Sequence, residues 1–164
     1  MRLLLIAAAA ALLLAAPAAA GPPPAGVLVP GKTLGGIALG ATNAEVERRW
    51  GRAYGICRGC ARETWYFNHF AFQPRGAGVE LRGGRVAAVF TIYSPPGWRT
   101  TRGLTLGDPV TSITSIYGAL TRQECGRYYA LVLPGPRATT AFYVLDDRLW
   151  AFGLSRPGAP LCRA

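Results

Sequence analysis

The 164-residue chain has one histidine, His69, one lysine, Lys32, and one methionine at its start. A lone histidine excludes clustered-imidazole metal sites, and a catalytic triad needs it beside both a nucleophile and an orienting acid. No serine lies in a G-x-S-x-G turn, and His69 sits among aromatics in WYFNHFAF, so it reads as a strand residue. Acids are scarce too, 8 against 18 basic side chains. Asp146 and Asp147 are adjacent turn residues, and Glu45 and Glu47 fall on different faces of a helix, so paired-carboxylate chemistry is not expected. No metal, no cofactor and no enzyme activity are expected. Beyond residue 20 there is no apolar run long enough to cross a bilayer, so no membrane span is expected. No run of five or six like charges occurs either, and no nucleic acid is expected as partner.

The chain opens MRLLLIAAAAALLLAAPAAA. One positive residue, a short alanine-rich apolar stretch and A-x-A spacing describe a secretory signal over residues 1–20, cut after Ala20. The first cysteine is Cys57, far from the cut, so release is expected rather than lipid tethering, and the location is secreted or extracytoplasmic. Residues 21–33, GPPPAGVLVPGKT, read as a Pro/Gly-rich linker. The formal net charge is +10, or +9 once Arg2 leaves with the signal, and it is carried almost wholly by arginine. Such a field favours acidic partners: an acidic exported protein or an anionic envelope polymer.

Cys57, Cys60, Cys125 and Cys162 form an even set, as disulfides in an exported protein would. Three connectivities are possible. Closeness in sequence favours Cys57 with Cys60, leaving Cys125 with Cys162 to staple the C-terminal end to its own half. A redox CxxC should open a helix after a strand, but CRGC stands between glycines ahead of an aromatic strand; zinc would want a second tight pair.

Two half-motifs imitate an ATPase. GVLVPGKT at 26–33 fits the phosphate-loop pattern G-x-x-x-x-G-K-[ST], and AFYVLDD at 141–147 imitates a magnesium-binding strand. The loop needs a preceding strand, a following helix and free amides. Here PPPA precedes it, LGGIALG follows it, and Pro30 inside it has no amide hydrogen. Asp146 and Asp147 lie between two apolar runs, as a hairpin turn does.

The chain resembles itself. GIALGATNAEVERRWGRA from Gly36 lies over GLTLGDPVTSITSIYGAL from Gly103, and VELRGGRVAAVFTIY from Val79 lies over FYVLDDRLWAFGLSR from Phe142. Each copy reads as a short helix, a strand and a hairpin. Thr42 with Glu45 makes a capping box, Val46 and Trp50 share a face, and Gly51 ends the first helix. In the second copy Asp108 is expected to cap, Pro109 to take the first helical position, Ile113, Ile116 and Tyr117 to face inward, and Gly118 to stop the helix. Strands WYFNHFAF and YYALVL follow, then hairpins turning at Gly83-Gly84 and Asp146-Asp147. The fold expected is α+β. Two tandem helix-plus-antiparallel-sheet repeats, residues 34–99 and 100–164, share one sheet with both helices on one face and form one compact domain.

Regular pairing from each turn sets the faces. It puts Val79, Leu81, Val86, Ala88, Phe90 and Ile92, with Phe142, Val144, Leu149 and Ala151, on the helix side. Tyr143, Leu145, Trp150 and Phe152, joined by Tyr93, Arg82 and Arg85, fall on the open side as a candidate binding face.

The repeated G-x-x-LG-x-x-x-x-x-V/I-x-x-x-W/Y-G block, with strands carrying R-V or R-L after a tight turn, resembles the β-lactamase-inhibitor-protein-like fold, which is shared with the small lipoprotein of the outer-membrane barrel-assembly machinery. The resemblance implies helices on one side and a concave sheet face for gripping a protein, with Tyr93, Tyr143, Trp150 and Phe152 on that face. The function expected is a secreted, non-enzymatic protein-binding module, with inhibition of an exported enzyme as its sharpest form. The alternatives are a basic envelope protein held to anionic polymer and a small hydrolase built around His69.

Overall fold

Gly83 and Gly84 (φ 58° and 68°) and Asp146 and Asp147 (φ 49° and 56°) are left-handed pairs closing two-residue hairpins. These turns anchor the computed structural model, which describes residues 25–70 and 73–163. The side chains at 69, 70, 73 and 74 and the expected signal segment lie outside that description.

In chain order come β1 (Val27–Val29), β2 (Thr33–Leu34), β3 (Ile37–Ala38), α1 (Asn43–Trp50), β4 (Gly55–Ile56), β5 (Glu63–Phe70), β6 (Gln73–Arg82), β7 (Arg85–Ile92), β8 (Arg99–Thr100), α2 (Val110–Tyr117), β9 (Thr121–Glu124), β10 (Tyr129–Leu133), β11 (Thr139–Leu145) and β12 (Arg148–Ser155). The class is α+β. An eight-stranded antiparallel sheet runs β4-β5-β6-β7-β12-β11-β10-β9, so strands from both segments meet at the β7–β12 seam. Beside it lies a four-stranded sheet, β3-β2-β1-β8, which the single-sheet expectation omitted. Residues 27–29 and Thr33, expected within a linker, are strand residues of this small sheet. The expected boundary between 99 and 100 falls inside β8.

Both halves dock the loop before the helix onto the hairpin in the same way. Gly40 N–H donates to Val86 O and Val86 N–H to Ala41 O, each at 2.8 Å; Gly107 N–H donates to Leu149 O and Leu149 N–H to Asp108 O, also at 2.8 Å. The first arginine after each turn reaches the same carbonyl: Arg85 donates to Gly40 O (3.0 Å) and Arg148 to Gly107 O (2.9 Å).

Each helix has eight residues, too short to be stable alone, so packing holds it. In α1 the Thr42–Glu45 capping box is formed, and buried Val46 and Trp50 face the sheet. Trp50 meets Phe67 and Trp98 edge-on at 5.2 and 6.2 Å and donates its indole N–H to Gly35 O. In α2 the cap differs from expectation. The Asp108 carboxylate accepts from Thr105 N and Oγ1 (2.7 and 2.9 Å), which uses it in the turn before the helix, while Val110 N–H goes to Asp147 O. Pro109 is the cap residue and makes no side-chain bond; Ile113 is fully buried. Both helices and the small sheet cover one face of the large sheet, in a core that includes Leu28, Val46, Trp50, Phe67, Val89, Trp98, Leu104, Ile113, Phe142 and Phe152.

Regular pairing fails at one equivalent position in each hairpin. Leu81 pairs with Val86, but Glu80 pairs with Ala88, leaving Ala87 extra; Val144 pairs with Leu149, but Tyr143 pairs with Ala151, leaving Trp150 extra. Such a bulge reverses parity beyond it and increases local twist. Val89 therefore replaces Ala88 opposite Val79, and Phe152 lies opposite Phe142. Ala88, Phe90 and Ile92, expected on the helix side, face the other way, as does Ala151, while Phe152 is 0% exposed in the helix-side core.

Candidate binding concavity

The face away from the helices holds a cavity of about 950 Å³. It is lined by Gly55, Ile56 and Cys57 at the β4 edge, by Tyr66, Phe90, Tyr93, Leu145 and Trp150 along its length, and by the 125–128 turn beside the β9 edge. Laid flat, eight strands at about 4.8 Å would separate those edges by roughly 34 Å. One cavity touching both edges means the sheet curls away from its helices.

The bulge that moves Phe152 inward places Trp150 on this face. Its ring meets Tyr93 edge-on at 5.4 Å and Tyr128 at 5.5 Å, and Tyr128 meets Tyr143 at 5.8 Å. Tyr93 and Ser94 both have left-handed backbone, φ 54° and 47°, a conformation that costs about 1–2 kcal/mol per non-glycine residue. Trp150 offsets part of that cost, because its carbonyl accepts from both Ser94 N (3.2 Å) and Ser94 Oγ (3.0 Å). The strained turn holds Tyr93 against Trp150 while leaving Tyr93 51% exposed; Ile56 across the cavity is 56% exposed.

Part of the expected face is covered. Residues 156–163 cross it, with Leu161 buried beside Ala130, Ala141, Tyr143 and Ala151. The Tyr143 hydroxyl donates to Leu161 O (2.7 Å), and burial raises its pKa above the usual tyrosine value. Glycines make room for rings lying on the sheet: a Cβ on Gly78 would sit 2.7 Å from the Phe90 ring, and one on Gly153 2.9 Å from Tyr143. Two disulfides brace the rims, Cys57–Cys60 and Cys125–Cys162, the pairing expected from spacing.

The charged side chains described in the cavity have one sign. Glu80 is held by Arg62 (3.0 Å) and by Arg163, whose guanidinium also lies 4.3 Å from the Phe90 ring centroid and donates to Ser155 Oγ. Among the described residues no carboxylate lines the cavity, whereas Arg127 and Arg163 do. Burial, then the nearby Glu80 charge, raises the Tyr66 pKa.

Of the expected binding residues, Tyr93, Leu145 and Trp150 come together at the cavity, with Tyr143 beneath the tail at its floor. Phe152 is on the opposite face. Arg82 and Arg85 stand at the β6–β7 turn, outside the lining, and Arg85 is engaged with Gly40 O. Sequence reasoning missed Ile56, Tyr66, Phe90, Tyr128, Arg127 and Arg163. Tyr128 was visible in the strand YYALVL, but Phe90 was assigned by unbroken alternation. The His69 side chain lies outside the described residues. Among the described residues no group of three metal-ligating side chains occurs, and no helix is long and apolar enough to cross a membrane.

No protein-family model and no curated protein matches the chain. Two solved structures are similar to it. A DUF4309 family protein from Bacillus subtilis superposes with a TM-score of 0.56 at 14% identity, covering 75% of this chain and 84% of that one. An extracellular protein containing a SCP domain from Bacillus anthracis superposes with a TM-score of 0.52 at 10% identity, covering 73% of this chain and 44% of that one. At these identities the likeness is one of fold.

Proposed function

We propose that this chain is an exported, non-enzymatic binding module that grips another exported protein in its helix-free concavity. The single observation that carries the reading is the Tyr93–Trp150–Tyr128 cluster on that face, rimmed by exposed Ile56 and held in place by a strained turn. Aromatic side chains on a rigid sheet lose little entropy on docking and carry much of the energy in protein interfaces. Backbone strain kept at the rim of a cavity is typical of sites that act on something. Export is supported by the signal-like leader and by the disulfides. The likeness to the β-lactamase-inhibitor-protein-like fold and a role in inhibition belong to the same reading. So does descent from a duplicated unit, which is supported by the equivalent bulges, turns and arginine–carbonyl contacts of the two halves.

The net charge of +10 favours a second reading, retention on an anionic envelope polymer. Salt separates the two, because contacts between exposed charges are largely screened by 0.5 M salt whereas buried aromatic contacts are not. The test immobilises the protein, passes the exported fraction over it at moderate and high salt, and repeats this with Trp150→Ala. A partner retained at high salt and lost with Trp150→Ala supports the gripping face. Retention that vanishes with salt and ignores Trp150→Ala supports the polymer.

A further inference from the structure

A second depression lies on the helix side, far from the aromatic face. There the β1–β2 turn meets the loop after β8 and the end of α2, around a volume of about 400 Å³. Val29, Pro30 and Leu133 give it apolar walls, and its polar lining comes from Lys32, Thr101, Arg102 and Tyr117. Among the described residues the charged groups in that lining are both cations, and no carboxylate belongs to it. Neither Lys32 nor Arg102 forms an ion pair among the described residues. Arg102 is oriented: one guanidinium N–H donates to Ile116 O (2.8 Å), which also offsets the negative end of α2, and the group lies 5.2 Å from the Tyr117 ring centroid.

We propose that this depression binds a small organic anion, one carboxylate or phosphate group carried on a short apolar body. The oxyanion would lie between Lys32 and Arg102, and the body would lie against Val29, Pro30 and Leu133. The volume is at the lower end of the range for small-molecule sites. The turn is the one whose letters match a phosphate loop, but its amides are committed. Gly31 N–H donates to Thr140 Oγ1 (2.9 Å) and Lys32 N–H to Val29 O (3.0 Å), so recognition is by side chains.

The test is an amide NMR titration of the full chain with butyrate, butyl phosphate, inorganic phosphate, butanol and butylammonium, at fixed low ionic strength. Saturable shifts at Lys32, Thr101 and Tyr117 are expected with butyrate or butyl phosphate, and none with butanol or butylammonium. Tighter butyrate assigns a carboxylate, and tighter butyl phosphate a phosphate. Inorganic phosphate binding as tightly as its butyl ester removes the apolar body from the proposal. Lys32→Gln and Arg102→Gln should each weaken binding about tenfold or more. Arg48→Gln removes one exposed charge on α1, outside both depressions, and should leave binding unchanged. Equal weakening by Arg48→Gln, undiminished binding by Lys32→Gln in a chain with unchanged melting, or shifts scattered over the surface would overturn the proposal.

Discussion

Cutting the Cys125–Cys162 bridge by changing both residues to serine tests how the tail and the concavity are held. The bridge spans a sequence separation of 37, against 3 for Cys57–Cys60. The loop-entropy relation gives about 4 kcal/mol for the long loop and about 2 kcal/mol for the short one. The native contacts of the tail would persist: Leu161 in its apolar cluster, the Tyr143 hydroxyl on Leu161 O, the Tyr128 hydroxyl on Arg163 O, and Arg163 on Glu80. The loss therefore acts mainly through the unfolded chain. With a urea m-value of about 2 kcal/mol/M, the Cys125→Ser, Cys162→Ser pair should lower the unfolding midpoint by roughly 2 M, about twice the effect of Cys57→Ser, Cys60→Ser. Urea melts followed by tryptophan fluorescence give both midpoints. A short-loop effect equal to or larger than the long-loop effect, or an unchanged midpoint for the long loop, would refute the reasoning.

Four further outcomes are expected. Tyr143 has a folded pKa raised above 10.0, so the unfolded chain releases that proton first; the contribution of Tyr143 to stability should be flat below about pH 10 and fall above it, with Tyr143→Phe showing a shallower alkaline fall in urea melts against pH. Gly153→Ala should cost about 1–3 kcal/mol, because its Cβ meets a Tyr143 ring that is pinned by the tail; an unchanged melting midpoint would mean that the ring can move aside. Trp50→Ala should cost about 3–5 kcal/mol by calorimetry, since Trp50 is 2% exposed at the junction of α1, β5 and the small sheet. Thr42→Ala should cost about 1 kcal/mol. Hydrogen bonding from the Thr42 backbone N–H, and next from its side chain, holds the Glu45 carboxyl below its usual value; the substitution keeps the first and removes the second, so the Glu45 titration midpoint seen by NMR should rise only part of the way back.

Both turns, the α1 cap and the disulfide pairing were legible because each depends on residue types with a specific backbone or chemical demand: Gly83-Gly84, Thr42 with Glu45, and close cysteines. The faces were legible only up to the bulges. Ala87 and Trp150 carry no mark of being extra residues, and β7 reads VAAVFTI with both sides buried, so no polar alternation reveals the change of parity. That one-residue slip moved Phe90 onto the concavity and Phe152 off it. The small sheet was missed because strands of two or three residues have no period to detect. The tail across Tyr143 was also hidden, because the sequence signals its anchoring cysteine but not the hydrogen bonds to the Leu161 and Arg163 carbonyls.

The central claim is that a partner enters the face carrying Tyr93 and Trp150. Amide hydrogen exchange of the chain, alone and bound to a partner retained at high salt, tests it most directly. The account predicts slowed exchange at residues 55–57, 92–94 and 126–128 and around Trp150, with α1 and α2 unchanged. Protection confined to the helices and the small sheet would contradict it.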